Sequence, residues 1–471
     1  MSQQRPRYFG TDGIRGTFGV PPLDETSIRI LGAALGQELA LGQEPGSDAA
    51  EPRVMMGGDT RDSTPTICRW LTEELTDAGC EVGSLGVVPT PGVAFATRTR
   101  GASCGVVVSA SHNPHPDNGI KLIDSEGFKW DPEAELNLEN RMSERTNNLP
   151  QRSAGDGATS DSAASDGAAS GVEAQPAETG SYIDAIVSHL PNEMALAGLS
   201  VVLDTGNGAA SSFAGPLFER LGARVTTIHD SPNGSNVNAG CGSTHPEVVA
   251  REVATAGADL GFAFDGDADR VILVDETGSV CDGDAMLFLW AQELKRTGQL
   301  PHNKIVATSM SNLGLEVALR RLGIEVVRCD VGDRIVVETM RREGIVLGGE
   351  QSGHIINLSQ GTTGDGMATA VQIAALRQRH HRPMSQMLSG FERFPQLLRS
   401  IAVQRKPELT GLPPVRAASR AVEEALGADG RLVLRYSGTE PLVRIMIEGS
   451  DRTTIESLAD DLERVLVAEL S

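Results

Sequence analysis

One pattern of strand, helix, glycine and strand occurs three times in the chain and constrains the fold more than any other feature. Each copy begins with a short apolar run (RVMM, SVVLD or KIVAT), continues through an amphipathic helix, and ends at a glycine followed by a valine that opens the next strand. The glycines are Gly79, Gly222 and Gly323, at the position where a left-handed residue closes a helix. Strands that alternate with helices predict parallel α/β units, so we expect three similar α/β domains.

A polar loop follows each copy, after a glycine and three apolar residues. The loops are Ser109–Pro114, Asp265–Arg270 and Gly348–His354. Ligands of open α/β sheets bind beyond the carboxyl ends of the strands, where these loops fall. One such loop is easily explained as a simple connection. Three chemically distinct loops in matching places instead predict a shared site.

The carboxyl-terminal part has a different pattern. Arg431–Tyr436 and Leu442–Glu448 are predicted strands on either side of SGTEP, and Thr453–Leu470 has helical periodicity. We therefore predict a smaller α+β fourth domain that begins at about Phe394. The predicted boundaries are 1–150 for domain I, 181–279 for domain II, 280–393 for domain III and 394–471 for domain IV.

Residues 151–180 are predicted to be an acidic linker between domains I and II. Within this range, Ser153–Gly180 has five acidic residues, no basic or aromatic residue, and Val172 as its one branched aliphatic residue. Such a segment buries too little apolar surface to offset its ordering entropy, so we expect it to be disordered.

The net charge and the lack of long apolar runs argue against nucleic-acid and membrane partners. Lys plus Arg total 41 against 63 for Asp plus Glu, which gives −22. This field disfavours nucleic acid, so an anionic substrate requires locally concentrated cations. There is no signal-like amino terminus, no apolar run of about 18 residues, and no Cys-x-x-Cys pair among six scattered cysteines. We expect a cytoplasmic protein without a membrane partner, either a monomer or a homodimer.

The loop DGDADR has the composition of a metal site. Asp265, Asp267 and Asp269 alternate along it and offer hard oxygen ligands, which favours Mg²⁺. An EF-hand is the alternative for this spacing. Its sixth position requires glycine, which is Arg270 here, and the flanking residues are typical of strands rather than helices.

Ser111 and His112 lie in the first polar loop, where two interpretations remain open. A serine beside a metal loop can carry a phosphoryl group, because phosphoserine adds negative charge and three acceptor oxygens. A structural turn rich in serine and asparagine is equally compatible with these residues. The Gly-x-Ser-x-Gly elbow of serine hydrolases is absent around Ser111.

The other two loops supply ligands for a phosphorylated polyol. A carboxylate, a hydroxyl and an imidazole suit directed hydrogen bonds to sugar hydroxyls, and these are Glu350, Ser352 and His354. Guanidinium groups beside a hydroxyl-rich turn suit a phosphate monoester, and this set is Arg435, Ser437, Gly438, Thr439 and Arg444. No P-loop occurs. Together the four loops predict phosphoryl transfer on a sugar phosphate.

The motifs YFGTDGIRG, VVVSASHNP, DNGIK, DGDADR, GGEQSGH and RYSGTEPLVR resemble the α-D-phosphohexomutase family in order and spacing. The resemblance implies three similar mixed-sheet α/β domains and a smaller α+β domain around a central cleft. CGSTHPE, TTGDG and Gln351 are more similar to the branch that converts glucosamine 6-phosphate to glucosamine 1-phosphate for cell-wall precursors. The branches that act on mannose or glucose phosphates are the alternative.

The resemblance also implies a role for each matching residue. Ser111 is similar to the family's phosphoserine, and Asp265, Asp267 and Asp269 to the ligands of one Mg²⁺ that the phosphoserine also binds. Glu350, Ser352 and His354 are similar to the sugar readers, and Arg435, Ser437, Gly438, Thr439 and Arg444 to the phosphate clamp. Arg15, His112, Lys121 and Arg270 match positions around the transferring phosphoryl group.

The mechanism that these roles imply has two transfers. Phosphorylated Ser111 gives its phosphoryl group to the sugar monophosphate, the hexosamine 1,6-bisphosphate reorients, and the other phosphoryl group returns to Ser111. We expect Lys121 to be the general base, with a pKa lowered by neighbouring cations, and His112 to be the alternative. A Mg²⁺-dependent phosphatase and an inactive scaffold are the rival classes.

Overall fold

The computed structural model describes residues 7–10, 12–41, 51–148, 176–190, 195–427, 430–437 and 441–470. Within these ranges the chain forms an α/β structure with four separate β-sheets. No helix of the described part is both long and apolar enough to cross a membrane.

The first sheet has six strands in the order β1-β2-β6-β5-β3-β4. The strands are β1 (Phe9–Gly10), β2 (Gly13–Thr17), β3 (Arg53–Gly58), β4 (Glu81–Val87), β5 (Cys104–Val108) and β6 (Asp117–Ile123). The helices are α1 (Glu25–Leu41), α2 (Thr64–Asp77), α3 (Thr90–Thr99) and α4 (Pro132–Asn148). Helix α2 packs with the apolar stripe Ile67, Leu71 and Leu75, whose spacing of four places the three side chains on one buried face.

The second sheet has five strands in the order β11-β10-β9-β7-β8. Helix α5 (Pro176–Ser188) precedes it. The elements are β7 (Ser200–Asp204), α6 (Ala214–Arg220), β8 (Arg224–Ile228), α7 (Pro246–Ala256), β9 (Leu260–Phe264), β10 (Val271–Asp275) and β11 (Val280–Cys281). Every residue of β9 and β10 is buried, as expected for central strands covered on both faces.

The third sheet has the order β13-β12-β14-β15 and the fourth has the order β16-β18-β17. The third domain contains α8 (Gly283–Arg296), β12 (Lys304–Thr308), α9 (Leu313–Arg321), β13 (Glu325–Cys329), α10 (Asp333–Glu343), β14 (Leu347–Gly349), β15 (Ile355–Asn357), α11 (Gly366–His380) and α12 (Met384–Met387). The fourth contains β16 (Gln396–Ala402), α13 (Pro413–Leu426), β17 (Gly430–Tyr436), β18 (Leu442–Gly449) and α14 (Arg452–Leu470).

The predicted threefold repeat is present in the strand order. The orders β6-β5-β3-β4, β10-β9-β7-β8 and β15-β14-β12-β13 are equivalent, with three parallel strands and one antiparallel strand in each. Gly79, Gly222 and Gly323 have φ values of 83°, 90° and 67°, which confirms the left-handed helix ends. In each copy, the chain reverses from the third parallel strand into the antiparallel strand through one of the three polar loops.

The second and third domains share one apolar core. Side chains of β7, β9 and β12 belong to the same buried cluster as those of α8 and α11. Helix α11 follows the third sheet in the chain, yet it packs against β9 and β10 of the second sheet. The two sheets are therefore joined by buried hydrocarbon.

The outer domains are joined to the third domain by polar contacts. Arg334 donates two hydrogen bonds to the Glu135 carboxylate, at 2.9 and 2.5 Å. Arg431 donates to the carbonyl oxygen of Ser311 at 3.0 Å, and Asn312 donates to Glu448 at 3.1 Å. These contacts connect domain I and domain IV, respectively, to the same central unit.

The structure corrects two details of the predicted organisation. The predicted disordered linker lies outside the described residues as far as residue 175, but residues 176–180 begin α5, so disorder is wrong for them. Strand β11 pairs with β10, so the second sheet continues to Cys281, two residues past the boundary predicted at 279. The last parallel strand of the third repeat begins at Leu347, after Gly344 has ended α10 in a left-handed conformation.

Candidate functional site

A buried arginine fixes the loop that carries Ser111. The Arg61 side chain is inaccessible to solvent, and its Nε donates to Asp59 Oδ2 at 2.9 Å. Its remaining nitrogens donate to four carbonyl oxygens of the loop: Pro114 (2.7 Å), Asp117 (2.8 Å), Asn113 (2.8 Å) and Ser111 (3.2 Å). A planar guanidinium can satisfy this many diverging acceptors, whereas an ammonium cannot.

Ser111 lies where the loop leaves β5. Ser109 Oγ accepts a hydrogen bond from the Ser111 backbone N–H at 2.9 Å and donates to Asp59 at 2.6 Å. Ser111 has a left-handed φ of 53°, which is uncommon for a residue with a side chain and frequent at functional sites. Its Oγ donates to Asp265 Oδ2 at 2.5 Å and lies 3.2 Å from His112 Nδ1.

Asp265, Asp267 and Asp269 form a buried cluster beside Ser111. Each offers an oxygen within 4.8 Å of the others. Oδ1 of Asp267 and Oδ1 of Asp269 are buried and have no hydrogen-bond partner. Unpartnered carboxylate oxygens that converge are the donor set of a hard divalent cation, so these residues fit the metal that the sequence predicts.

Gly266 lets the metal loop approach Ser111. A Cβ atom on Gly266 would lie 2.6 Å from the Ser111 carbonyl oxygen, closer than real Cβ contacts come. Asn238 of the second domain contacts the same carbonyl oxygen, because its Nδ2 donates a hydrogen bond to it at 2.8 Å. The first and second domains are therefore held together at the serine itself.

The carboxylates do not all ionise easily in this cluster. Burial, together with the charges of Asp269 and Asp267, raises the pKa of Asp265 well above its ordinary value. Burial also opposes ionisation of Asp269, but Lys121 and His354 outweigh it and hold the pKa of Asp269 well below its usual range. A further positive charge is needed before all three are ionised together.

Lys121 differs from the prediction made for it. Its buried Nζ donates to Asp267 Oδ2 at 2.8 Å and to Asp269 Oδ2 at 3.3 Å. Burial favours the neutral amine, but Asp12, Asp267 and Asp269 outweigh it and raise the pKa of Lys121 well above its ordinary value. The expected lowering of this pKa is wrong, because the nearest charges are carboxylates rather than cations.

His112 has the properties that were predicted for Lys121. Burial, followed by the charges of Arg270 and Arg15, lowers the pKa of His112 to about 4. The imidazole is therefore neutral near pH 7. The predicted cations lie close by: Arg270 Nε is 3.8 Å from Asp269 Oδ1, and Arg15 donates to Asn113 at 3.5 Å and pairs with Asp12.

The third loop lies against the metal loop. A Cβ atom on Gly353 would lie 2.0 Å from the Val271 carbonyl oxygen, and the φ of Gly353 is 89°, so this close approach requires glycine. The approach brings His354 Nδ1 to 3.6 Å from Asp269 Oδ1. The first three polar loops therefore meet.

The predicted sugar readers have different surroundings. Glu350 is largely buried, and its Oε1 accepts from the Gly332 N–H at 3.1 Å, whereas Ser352 is exposed. His354 is buried between Asp269 and Asp333, 3.7 Å from the latter. Burial disfavours its charged form, but Asp269 outweighs this and raises the pKa of His354. The sugar-reading role of the three residues stays a prediction.

The predicted phosphate clamp lies on the fourth sheet. Arg435 and Arg444 are directly opposite each other on β17 and β18 and line a groove with Met310 of the third domain. Like charges directly opposite in a ladder repel, so this pair favours a bound anion. The Ser437 carbonyl accepts from Lys406 at 2.9 Å, which adds a cation that sequence reasoning missed. The predicted Gly438 and Thr439 lie outside the described residues.

Sequence reasoning also missed residues that hold the site in place. Thr90 donates to Asp267 Oδ2 at 2.6 Å. Lys129 pairs with both Asp12 and Asp333, which ties the first loop region to the start of α10. Asp12 lies in the run TDGIRG and Arg61 in the run GGDTRDS. The mixture of glycine and charged residues in these runs could have marked them as candidate site loops.

Comparison with known proteins shows which family the chain belongs to. Four family models described as phosphoglucomutase/phosphomannomutase match it: α/β/α domains I, II and III at residues 6–149, 180–278 and 282–394, and the C-terminal domain at residues 398–465. The chain belongs to the phosphoglucomutase/phosphomannomutase family.

Curated relatives are similar over almost the whole length. The phosphoglucosamine mutase of Geobacter sp. strain M21 is 42% identical over 467 residues, which are 98% of each chain. That of Bacillus mycoides strain KBAB4 is 42% identical over 466 residues, 98% of this chain and 99% of the relative.

Solved structures share the fold. A phosphoglucomutase/phosphomannomutase family protein from Burkholderia thailandensis has a TM-score of 0.75 at 24% identity and covers 98% of this chain and 97% of its own. Aspergillus fumigatus N-acetylphosphoglucosamine mutase, in complex with GlcNAc-6P and magnesium, has a TM-score of 0.60 at 17% identity. The match covers 99% of this chain and 96% of the Aspergillus chain.

Replacing Arg61 with lysine tests how the Ser111 loop is positioned. We expect R61K to lower the free energy of unfolding by roughly 2–4 kcal/mol, because buried carbonyl and carboxylate acceptors lose their donors. Amides of residues 109–117 should also exchange faster with solvent deuterium. The matched control is Arg69→Lys on exposed helix surface, expected within about 0.5 kcal/mol of the original chain. Unchanged loop exchange in R61K would contradict this role.

Proposed function

We propose that this chain interconverts glucosamine 6-phosphate and glucosamine 1-phosphate, as a phosphomutase that uses Ser111 as its phosphoryl carrier. The observation that carries the proposal is the position of Ser111 Oγ, 2.5 Å from Asp265 Oδ2 of the carboxylate cluster and 3.2 Å from His112 Nδ1. The names of the relatives at 42% identity support the choice of sugar.

The first transfer moves a phosphoryl group from the enzyme to the sugar. The bond between Ser111 Oγ and phosphorus breaks, and a bond forms between phosphorus and the free sugar hydroxyl oxygen. The sugar hydroxyl loses a proton and Ser111 Oγ gains one, which leaves a hexosamine 1,6-bisphosphate. The second transfer, after the bisphosphate has turned round, reverses these changes at the other end of the sugar.

His112 is the group that we assign to the serine proton. The neutral imidazole accepts the proton of Ser111 Oγ when the phosphoryl group returns to this oxygen. Its pKa of about 4 keeps it unprotonated, and therefore able to accept, near pH 7. Lys121 remains an ammonium beside Asp267 and Asp269, which suits charge stabilisation better than proton abstraction.

Cations of the chain face the group that is transferred. Arg15, Arg270 and Lys121 are concentrated around the serine, as an acidic chain with an anionic substrate requires. Positive charge positioned in advance is the main catalytic device in phosphoryl transfer.

We assign Mg²⁺ to the cluster of Asp265, Asp267 and Asp269. The donors are all carboxylate oxygens, the hard ligands that Mg²⁺ takes, and phosphate oxygens or water complete the shell of this ion. When bound there, Mg²⁺ neutralises charge on the phosphoryl oxygens.

The clamp accounts for the reorientation of the intermediate. Arg435 and Arg444 hold whichever phosphate is not reacting, through paired guanidinium contacts that fit the oxygens at either end of the sugar. The same two side chains therefore serve both transfers, and only the sugar changes direction.

Replacing Ser111 with alanine should abolish the reaction. The alanine side chain cannot carry phosphate, so we expect at least a 10³-fold loss of kcat and no phosphorylated peptide that contains residue 111. Intact-protein mass spectrometry with peptide mapping measures the second effect. The control is Ser125→Ala, an exposed position of the same domain. Wild-type turnover in S111A would remove the proposed carrier.

Replacing His112 with glutamine tests the proton assignment. We expect kcat to fall roughly 10²–10⁴-fold in H112Q, the range for losing a general base. In the original chain, activity should stay level as pH falls from 7 to about 5 and should decline nearer pH 4, where the imidazole becomes protonated. A decline centred near pH 6.5, shared by H112Q, would contradict the assignment.

Comparing sugars tests the substrate. We expect kcat/KM for glucosamine 6-phosphate to exceed that for glucose or mannose 6-phosphate by roughly 10- to 100-fold, because the mostly buried Glu350 offers a carboxylate to the sugar ammonium. Glu350→Gln should reduce this preference. A higher value for mannose or glucose phosphate would establish the alternative branch, and stoichiometric release of free phosphate would establish a phosphatase.

A further inference from the structure

A second group of metal-ligating side chains lies in the second domain. Asp204 is the last residue of β7, His229 is the first residue after β8, and Cys241 follows the loop that leaves β8. One ligand atom from each lies within 4.8 Å of the other two. The group shares no residue with the cluster around Asp267.

The geometry of His229 and Asp204 favours a shared ligand over a mutual hydrogen bond. His229 Nδ1 lies 3.1 Å from Asp204 Oδ1. This nitrogen atom is buried and has no hydrogen-bond partner, so the two atoms are close but misaligned for a hydrogen bond. Nitrogen and oxygen ligands of a tetrahedral Zn²⁺, each about 2.0–2.2 Å from the metal, lie about 3.3 Å apart. The observed separation is close to that arrangement.

Backbone contacts hold Asp204 and His229 in place. Asp204 accepts from the N–H groups of Gly206 at 2.9 Å and Gly242 at 3.0 Å, one at each oxygen, which leaves a lone pair on each. The His229 carbonyl accepts from Asn207 N–H at 2.7 Å, as well as from the Thr205 hydroxyl at 2.6 Å. Little rearrangement is therefore needed before an ion binds.

The donor set differs in chemistry from the cluster beside Ser111. Imidazole and thiolate are ligands for borderline-soft cations such as Zn²⁺, whereas Mg²⁺ requires oxygen. Asp204 and Cys241 are buried, and about a third of the His229 side chain is exposed, which gives an ion access from solvent. Three protein ligands leave a fourth position for water.

We propose that Asp204, His229 and Cys241 form a second metal site that binds one Zn²⁺, separate from the Mg²⁺ cluster. The site braces the loop between β8 and Cys241. That loop carries Asn238, whose backbone N–H donates to the Gly206 carbonyl at 2.9 Å and whose side-chain amide donates to the Ser111 carbonyl at 2.8 Å. Zn²⁺ binding is therefore expected to stabilise the domain and the support of the serine loop.

Cobalt substitution tests the site directly. The full-length chain, stripped of metal and kept in excess Mg²⁺, is titrated with Co²⁺, whose thiolate complexes have a near-ultraviolet charge-transfer band. We expect one equivalent of Co²⁺ to produce this band and Zn²⁺ to displace it. Metal at the Asp267 cluster gives no such band, because its protein ligands are all oxygens, so the outcome is independent of the proposed function.

Two variants and one control identify the ligands. Cys241→Ser should abolish the band, and His229→Gln should weaken Co²⁺ binding at least tenfold. Cys281→Ser removes another buried thiol of the same domain and should leave the band and the Co²⁺ affinity unchanged. Zn²⁺ should also raise the melting temperature of the original chain and not that of H229Q. A chain that gives no band, or a band that survives in C241S, would overturn the proposal.

Discussion

The burial of three carboxylates against one serine is the constraint on which the site depends. Asp265, Asp267 and Asp269 lie where like charges oppose one another and water is excluded, so their ionisation requires cations nearby. Lys121 supplies one such charge from the first domain. The third domain reaches the same cluster through His354. Electrostatic compensation thus joins elements that are far apart in the sequence.

This compensation also explains how a strongly acidic chain can bind an anion. The net charge of −22 is a property of the whole molecule, whereas Arg15, Lys121, Lys129 and Arg270 are gathered around Ser111. Short-range fields inside a poorly solvated site outweigh distant surface charges, which salt screens. The two groups of possible metal ligands differ in chemistry, since one offers only carboxylate oxygens and the other adds a nitrogen and a sulfur.

Much of the fold was predictable because its signals are local. The apolar runs at Ser200–Asp204 and Lys304–Thr308 coincide with β7 and β12, and the left-handed glycines end the predicted helices. The loop residue types were predictable too, since each chemistry needs particular side chains. The direction of the Lys121 pKa was not, because it depends on carboxylates brought from positions 12 and 267. Arg61 was missed because four of its five acceptors are backbone carbonyls, which no particular residue type reveals.

The common core of the second and third domains determines how the molecule unfolds. Repeated domains are usually expected to melt one after another. Here, separating the second sheet from α11 would expose the hydrocarbon of both domains to water at once. These two repeats therefore form one cooperative unit and melt together, whereas the carboxyl-terminal domain, which has its own apolar cluster and is attached through polar bonds, is free to open separately.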